Sequence, residues 1–307
     1  MAWGKAMTNR PPIALFVYNR LLHTMSTMEA LQKNHGARES ILYVYSDGPR
    51  SDADAEGVAA VRNYVKKVTG FADVIVVERE RNLGLARSLT SGIDAVLGAH
   101  ESIVVLEDDL VTSPYFLQFM GDALRCYEHE EQVAAIHGYT FPLGIPLPDT
   151  FFLRNTGCWG WGTWRRAWAL FEPDGRKLLE QLRNSRLSTN FDMHGAYPYT
   201  RMLENQVNGR IDSWAVRWHA STFLSNKFTL YPGVSLVKNI GHDGSGMHCG
   251  TSKFYDVSLV EKEVMVALLP VREDPRVTGS LEAYLRRGHS GTVRYWFWKL
   301  FGNRMRP

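Results

Sequence analysis

From Ile13 to Leu110, runs of consecutive apolar residues alternate with stretches of helical period. Ile13-Ala14-Leu15-Phe16-Val17-Tyr18 is a continuous apolar run, the pattern of a strand buried in a parallel sheet. Asn19-Arg20 close it, and Met25, Met28 and Leu31 then recur at helical spacing until Asn34 to Gly36. Ile41-Leu42-Tyr43-Val44-Tyr45 is a second strand, ended by Ser46-Asp47-Gly48-Pro49. Asp52 to Val68 reads as a helix with Val58, Val61 and Val65 on one face. Val74-Ile75-Val76-Val77 is a third strand, and Asn82-Leu83-Gly84-Leu85 leads into a helix from Ala86 to Leu97. A fourth strand starts at Ser102. This alternation predicts an α/β fold with a doubly wound, mostly parallel sheet and helices on both faces.

The pattern breaks after about Pro142. Thr140 to Thr150 holds three prolines and reads as a loop. Gly157 to Trp168 is rich in Gly and Trp, with Trp164 and Trp168 four apart as on a helix. Lys177 to Arg186 and Tyr197 to Asn208 read as helices, and a short helical stretch runs from Asp212 through Trp218. Phe228 to Val237 reads as a strand with a Pro-Gly break, followed by a Gly-rich, His-rich loop from Asn239 to Thr251. The chain thus divides into a tail (1–11), a first half (12–142), a second half (143–270) and a C-terminal extension (271–307). Ser290 to Pro307 carries four basic residues and no acid among aromatic ones, a composition that fits either an interfacial membrane helix or a helix docked on the core.

Composition narrows the class. At 307 residues the chain can bury a large core, and 45% hydrophobic with 22% charged residues is ordinary for a soluble globular protein. A net charge of +3 is too small to argue for nucleic acid. Cys126, Cys158 and Cys249 are odd in number and widely spaced, as expected in a reducing compartment. No stretch approaches the length of a spanning helix, and Met1 to Arg10 has no apolar signal core. The expected location is cytoplasmic, with the tail as a possible contact to the membrane face.

Candidate chemistry starts with Glu107-Asp108-Asp109 at the end of the fourth apolar run. Like charges brought together out of water resist ionisation, and either a divalent cation or a solvated acidic turn removes that cost. In an open α/β sheet ligands bind beyond the C-terminal ends of the strands. The predicted strand order sends Asp47, the Arg81-Asn82-Leu83-Gly84 loop and the triplet to one such edge. Asp47 there can accept from a nucleoside or shape an Asp-Gly turn. The loop opens a helix, whose N-terminus favours phosphate, and Arg81 and Arg87 add positive charge. Trp159, Gly160 and Trp161 suit stacking on a sugar or close aromatic packing. Asp212 fits a helix N-cap or a general base. His242 and His248, in the late Gly-rich loop, can reach metal or phosphate.

Together Phe16-Val17-Tyr18-Asn19-Arg20, Ser46-Asp47-Gly48, Arg81-Asn82-Leu83-Gly84-Leu85, Leu106-Glu107-Asp108-Asp109, Gly160-Trp161-Gly162 and Ile211-Asp212-Ser213-Trp214 resemble GT-A nucleotide-sugar glycosyltransferases. The likeness is to inverting enzymes of bacterial polysaccharide assembly, including lipopolysaccharide, and more distantly to N-acetylglucosaminyltransferase I, over about Pro12 to Thr251. It implies a GT-A fold with an acceptor-side extension and a hexosyl or N-acetylhexosaminyl donor. It implies Mn2+ or Mg2+ bound directly by Asp109, with Glu107 and Asp108 on the ribose or the metal's waters. Tyr18, Asn19, Arg20, Asp47, Arg81, Asn82, Gly84 and Arg87 would line the nucleotide. Trp159, Gly160, Trp161 and Trp214 would face donor sugar or acceptor, a glycan or lipid-linked saccharide. Asp212 would be the base of a single inverting displacement, and His248, or else His242, would complete the metal site. The first acid is Glu where many family members have Asp, which changes its reach by one methylene.

Two other functions fit parts of the pattern. Sugar-nucleotidyl transfer also uses such a sheet and acidic metal ligands, but needs a Gly-rich basic loop after the first strand. Tyr18-Asn19-Arg20-Leu21-Leu22-His23 has no glycine. A non-catalytic carbohydrate-binding protein would use the tryptophans and leave the triplet and Asp212 unexplained.

Overall fold

A computed structural model describes residues 10–244 and 253–288. β1 (Ile13–Val17), α1 (Leu21–Gln32), β2 (Ile41–Ser46), α2 (Asp52–Val65), β3 (Asp73–Glu78), α3 (Leu85–Ala99) and β4 (Ser102–Glu107) follow the alternation read from the chain. β5 (Leu110–Thr112), α4 (Phe116–Cys126) and β6 (Val133–His137) come next. β7 (Thr150–Leu153), β8 (Trp161–Trp164), α5 (Arg165–Trp168), α6 (Gly175–Asn184), α7 (Ser188–Phe191), α8 (Tyr199–Val207) and α9 (Trp214–Leu224) precede β9 (Phe228–Pro232), β10 (Val237–Asn239) and α10 (Pro275–Gly288).

Eight strands form one mixed sheet in the order β3-β2-β1-β4-β8-β6-β9-β7. β1, β2, β3 and β4 pair in parallel; β8 is antiparallel to both β4 and β6, and β7 is antiparallel to β9. The remaining strands therefore share one direction, and the sheet is mostly parallel. The chain steps outward from β1 to β3 and then returns past β1 to β4. Right-handed crossovers then place α1 and α2 on one face and α3 on the other. α1 packs on α2, while α3 packs on α9. β1 and β2 are buried along their whole length and β4 through its middle, as their unbroken apolar runs require, while the edge strand β3 is only partly buried.

After β4 the chain departs from the expectations in three places. Trp161 to Trp164 is a central strand, and the helix that follows is only the four residues of α5. Pairing with β4 and β6 overrides a local sequence that carries no strand alternation. Trp164 and Trp168 are core residues, as four-apart aromatics suggested, but from two different elements. The strand expected from Phe228 to Val237 ends at Pro232, and Val237 begins β10 in a separate two-stranded ladder with β5. α4, β6 and β7 had no counterpart in the sequence reading, although α4 carries an apolar stripe of Phe116, Leu117, Met120, Ala123 and Leu124. Because β8 inserts between β4 and β6, one sheet runs across the 142/143 boundary. No helix among the described residues is long and apolar enough to cross a membrane.

Candidate active site

Parallel register brings the candidate segments to one edge. Phe16 lies opposite Glu107, Val17 opposite Ser46, and Ser46 opposite Glu78. The chain therefore leaves β1 through Tyr18-Asn19-Arg20, β2 through Asp47-Gly48, β3 through the 79–84 loop and β4 through the acidic triplet, all on the same side.

At the centre, Arg20 Nη2 donates to Asp108 Oδ1 in a short contact and to Asp109 Oδ2 at 2.8 Å. Arg20 lies where α1 begins, and Thr27, one side of the same helix further on, donates its hydroxyl to the Asp108 carbonyl at 2.9 Å. Burial pushes the Glu107 carboxyl up to about 8, with Asp109 and Asp108 adding and Arg20 opposing. Burial also pushes Asp108 up to about 6, against the pull of Arg20. Burial works against the Arg20 charge, but the two aspartates outweigh it and raise its pKa. The triplet is thus a crowded acidic site held partly in check by one internal cation.

The late loop closes on this site through backbone pairing. β10 pairs antiparallel with β5, setting Asn239 opposite Leu110. The Ile240 amide donates to the Asp109 carbonyl at 2.8 Å. A Cβ at Gly241 would lie 2.2 Å from Asp109 Oδ2, so only glycine permits this approach. His242 follows directly. Its two ring nitrogens are buried without a hydrogen-bond partner among the described residues, and burial lowers its pKa while Asp109 acts in the opposite sense. Asp108 Oδ2 and Arg20 Nη1 are also buried without a partner among the described residues. His23 Nε2 stands 3.1 Å from Asp243 Oδ2 and ties α1 to the same loop.

These leftover atoms test whether a divalent cation fits. Among the described residues no three His, Cys, Asp or Glu side chains converge as a closed metal centre, and Arg20 stands between the aspartates. The free Asp108 oxygen, Asp109 and His242 are nevertheless oxygen and imidazole donors of the kind Mn2+ takes, and an ion there would satisfy buried atoms that have no partner among the described residues. The residues fit the ion provided that Arg20 gives ground.

Other candidates take different places. Both Asp47 oxygens accept backbone N–H groups, Oδ1 from Gly48 and Leu83 and Oδ2 from Leu83 and Gly84, at 2.9–3.1 Å. Expected at the nucleoside, Asp47 instead spends its carboxylate anchoring the loop that starts α3. Asn82 adds a bond from Nδ2 to the Gly48 carbonyl at 2.8 Å. Gly84 has φ of 76° and α3 has no side-chain cap, while Arg81 and Arg87 are exposed beside it. Tyr18 accepts from the Arg50 amide and Asn19 donates to Asp54, which fastens α2 to the same edge.

The tryptophans split. Trp161 is fully buried and Trp214 nearly so, stacked with centroids 5.5 Å apart in a cluster with Trp168 and Trp218. Neither can face a sugar; they are core, because β8 turns Trp161 inward. Gly160 is also buried; with φ of 63° and a Cβ that would meet Val237 at 2.6 Å, it serves close packing. Trp159 is half-buried against Tyr139, His242 and Tyr255, and is the one of these four that borders the acidic site.

Asp212 precedes α9, but the cap is Ser213, whose hydroxyl accepts the Val216 amide at 3.3 Å. Asp212 is 67% exposed and pairs with Arg217 at 3.2 Å. Trp214 ties this end of α9 to Trp161, whose strand partner Val105 lies just before Glu107. His248 and the segment 290–307 lie outside the described residues. Sequence reasoning missed Tyr255, His23 and Thr27. Buried Thr27 sits among the apolar positions of α1 and was a weak signal; Tyr255, beyond the Gly-rich loop, carried none.

No family model matches the chain, and no curated protein matches it. Among solved structures it is similar to mannosyltransferase PcManGT from Pyrobaculum calidifontis in complex with GDP-Man and Mn2+. That similarity has 13% identity and a TM-score of 0.38, over 72% of this chain and 77% of the other. It is also similar to a candidate nucleotide-diphospho-sugar transferase from Desulfovibrio desulfuricans G20, at 14% identity and a TM-score of 0.34, over 59% of this chain and 78% of the other. S. aureus TarS matches at 16% identity and a TM-score of 0.30, over 45% of this chain but only 23% of TarS.

Proposed function

We propose that the chain is a metal-dependent inverting glycosyltransferase that moves a hexosyl or N-acetylhexosaminyl group from a nucleotide diphosphate-sugar to a hydroxyl of a glycan or lipid-linked saccharide. The observation that carries this reading is the acidic triplet at the C-terminal edge of β4, with a buried Asp108 oxygen and His242 ring nitrogens that have no hydrogen-bond partner among the described residues. Asp109, Asp108 and His242 would hold the ion, and Glu107 would reach the ribose or the ion's waters. When bound, Mn2+ or Mg2+ supplies Lewis-acid stabilisation of a leaving diphosphate.

The chain's own residues do the rest. The uncapped start of α3, with Arg81 and Arg87 beside it, favours the phosphates. Asp47 keeps that start in place through its backbone bonds. Trp159 offers a half-buried aromatic face to the donor sugar or acceptor. Asp212, relieved of capping by Ser213, takes the proton of the attacking hydroxyl while the C–O bond to the anomeric carbon forms and the bond to the diphosphate breaks. The basic, aromatic sequence from Ser290 to Pro307 suits an acceptor held at the cytoplasmic membrane face.

The test is release of nucleoside diphosphate from a panel of nucleotide sugars with Mn2+. Asp212→Asn is expected to keep Mn2+-dependent nucleoside diphosphate binding and lose transfer by about 10²–10⁴-fold. Asp109→Ala is expected to lose the metal dependence of binding. Near-normal turnover by Asp212→Asn sinks the base assignment. Pyrophosphate release from a nucleoside triphosphate and a sugar phosphate points instead to nucleotidyl transfer, and sugar binding without turnover to a binding protein.

A further inference from the structure

His242 sits in an unusual setting for a loop histidine. Gly241 precedes it, its amide donating to Asn239 Oδ1 at 2.8 Å, and Gly244 follows with φ of 91°. Yet the imidazole is packed. It stacks on Tyr255 with centroids 5.7 Å apart and planes 27° apart, and meets the Trp159 edge at 5.4 Å and 73°. Trp159 and Tyr255 also touch each other at 5.4 Å and 85°. Three rings from three distant segments therefore form one closed corner.

Each wall is anchored. The Trp159 amide donates to His137 Nε2 at 3.2 Å, and its ring packs on Tyr139 at 4.8 Å. The Tyr139 hydroxyl donates to the Tyr255 carbonyl at 3.1 Å. Phe254 stacks on Tyr284 of α10 with centroids 4.4 Å apart. The chain after the late loop thus returns from its docking on α10 to close the wall over His242. A buried imidazole whose nitrogens have no hydrogen-bond partner among the described residues is unfavourable unless something approaches it, and the residues just before it lie against Asp109, Ile240 through its amide and Gly241 through close packing.

We infer that Trp159 and Tyr255 are positioning residues, whose rings clamp the His242 imidazole beside Asp109 so that it is ready to ligate a divalent cation. The inference rests on the glycosyl-transfer reading for the use of the cation, and the clamp itself is testable without it. Fixing a side chain in advance removes an ordering cost from ligand binding, the same logic by which supporting residues orient metal-ligating histidines.

Two measurements on the full chain decide it. In metal-free protein, the His242 ring-proton NMR shifts are expected upfield from the stacked rings. They should move to unstacked values in Tyr255→Ala and Trp159→Ala and stay in Tyr255→Phe. With Mn2+, alone and with GDP or UDP, pulsed EPR should detect imidazole nitrogen coupling that His242→Ala abolishes. Tyr255→Ala should lose that coupling and weaken Mn2+ affinity at least about tenfold, with Tyr255→Phe restoring both. Thermal melts and circular dichroism confirm that each variant folds. Unchanged His242 shifts and coupling in Tyr255→Ala overturn the clamp. So does a His242→Leu variant that is more stable and binds Mn2+ as before, since the ring would then be mere packing. Absence of Mn2+ binding by the unaltered protein, with the ring shifts as expected, overturns the glycosyl-transfer reading and the ligand role of His242 together. Loss of binding in Asp109→Ala and His242→Ala but not in Tyr255→Ala overturns the clamp alone.

Discussion

Arg20 and Asp109 form an ion pair of 2.8 Å in which the same Arg20 nitrogen also holds Asp108. Both aspartate side chains are close to fully buried and Arg20 is 19% exposed, so solvent screens the contact weakly. The guanidinium therefore supplies in the protein alone part of what a divalent cation would supply when bound.

Removing that guanidinium leaves buried carboxylates without their counter-charge. Arg20→Met is expected to lose about 3–5 kcal/mol in urea denaturation at neutral pH. Saturating Mn2+ should recover part of the loss, because an ion that binds only the folded state stabilises it. A loss below about 1 kcal/mol would mean that the pair is incidental.

Gly241 makes the approach of the late loop possible. In Gly241→Ala the new Cβ would meet Asp109 Oδ2 at 2.2 Å and Cγ at 2.9 Å, so the carboxylate must move. Calorimetry should find Mn2+-dependent nucleoside diphosphate affinity reduced at least about tenfold, or about 1.4 kcal/mol. Gly98→Ala on α3, where nothing stands within 4 Å of the new atom, is the control and should bind as before. Equal affinity in both variants would separate the late loop from the site.

His137 and His219 give stability a defined pH dependence. Burial lowers both to about 3. Between that value and the ordinary histidine range near 6.5, the unfolded chain binds protons that the folded chain does not. Their contribution is therefore fully present above pH 6.5 and is lost as pH falls toward 3. Glu107 and Asp108, raised by burial, act in the opposite sense over the same range, so the reading is the difference: relative to the unaltered protein, His219→Leu should gain melting temperature as pH falls from 7 to 4. A profile identical to that of the unaltered protein would show that His219 is not held neutral.

The chain through β4 was legible because its signal is local. A strand buried on both faces must be apolar at every position, so Ile13–Val17 and Ile103–Leu106 announce themselves. Parallel strands joined by helices then send their C-terminal ends to one edge, which was enough to gather Asp47, the Asn82 loop and the triplet. Beyond β4 the chain was less legible because several of its strands are short and held by distant partners. β8 has four residues and β5 and β10 three each, below the length at which periodicity speaks.

The sequence by itself determined which segments meet at the edge, because the order of apolar runs and turns dictates it, and it left a divalent cation or a solvated acidic turn as the ways to relieve the like-charged triplet. Only the tertiary structure decided what each side chain does there. Asp47 could not be known to bind backbone amides until the 82–84 loop lay across it. Trp161 could not be told from Trp159 until β8 entered the sheet and turned one ring into the core and the other toward His242. His242 and Tyr255 meet only because β10 pairs with β5 and α10 returns the chain to the site, contacts whose cost in loop closure is repaid by packing that no local pattern encodes.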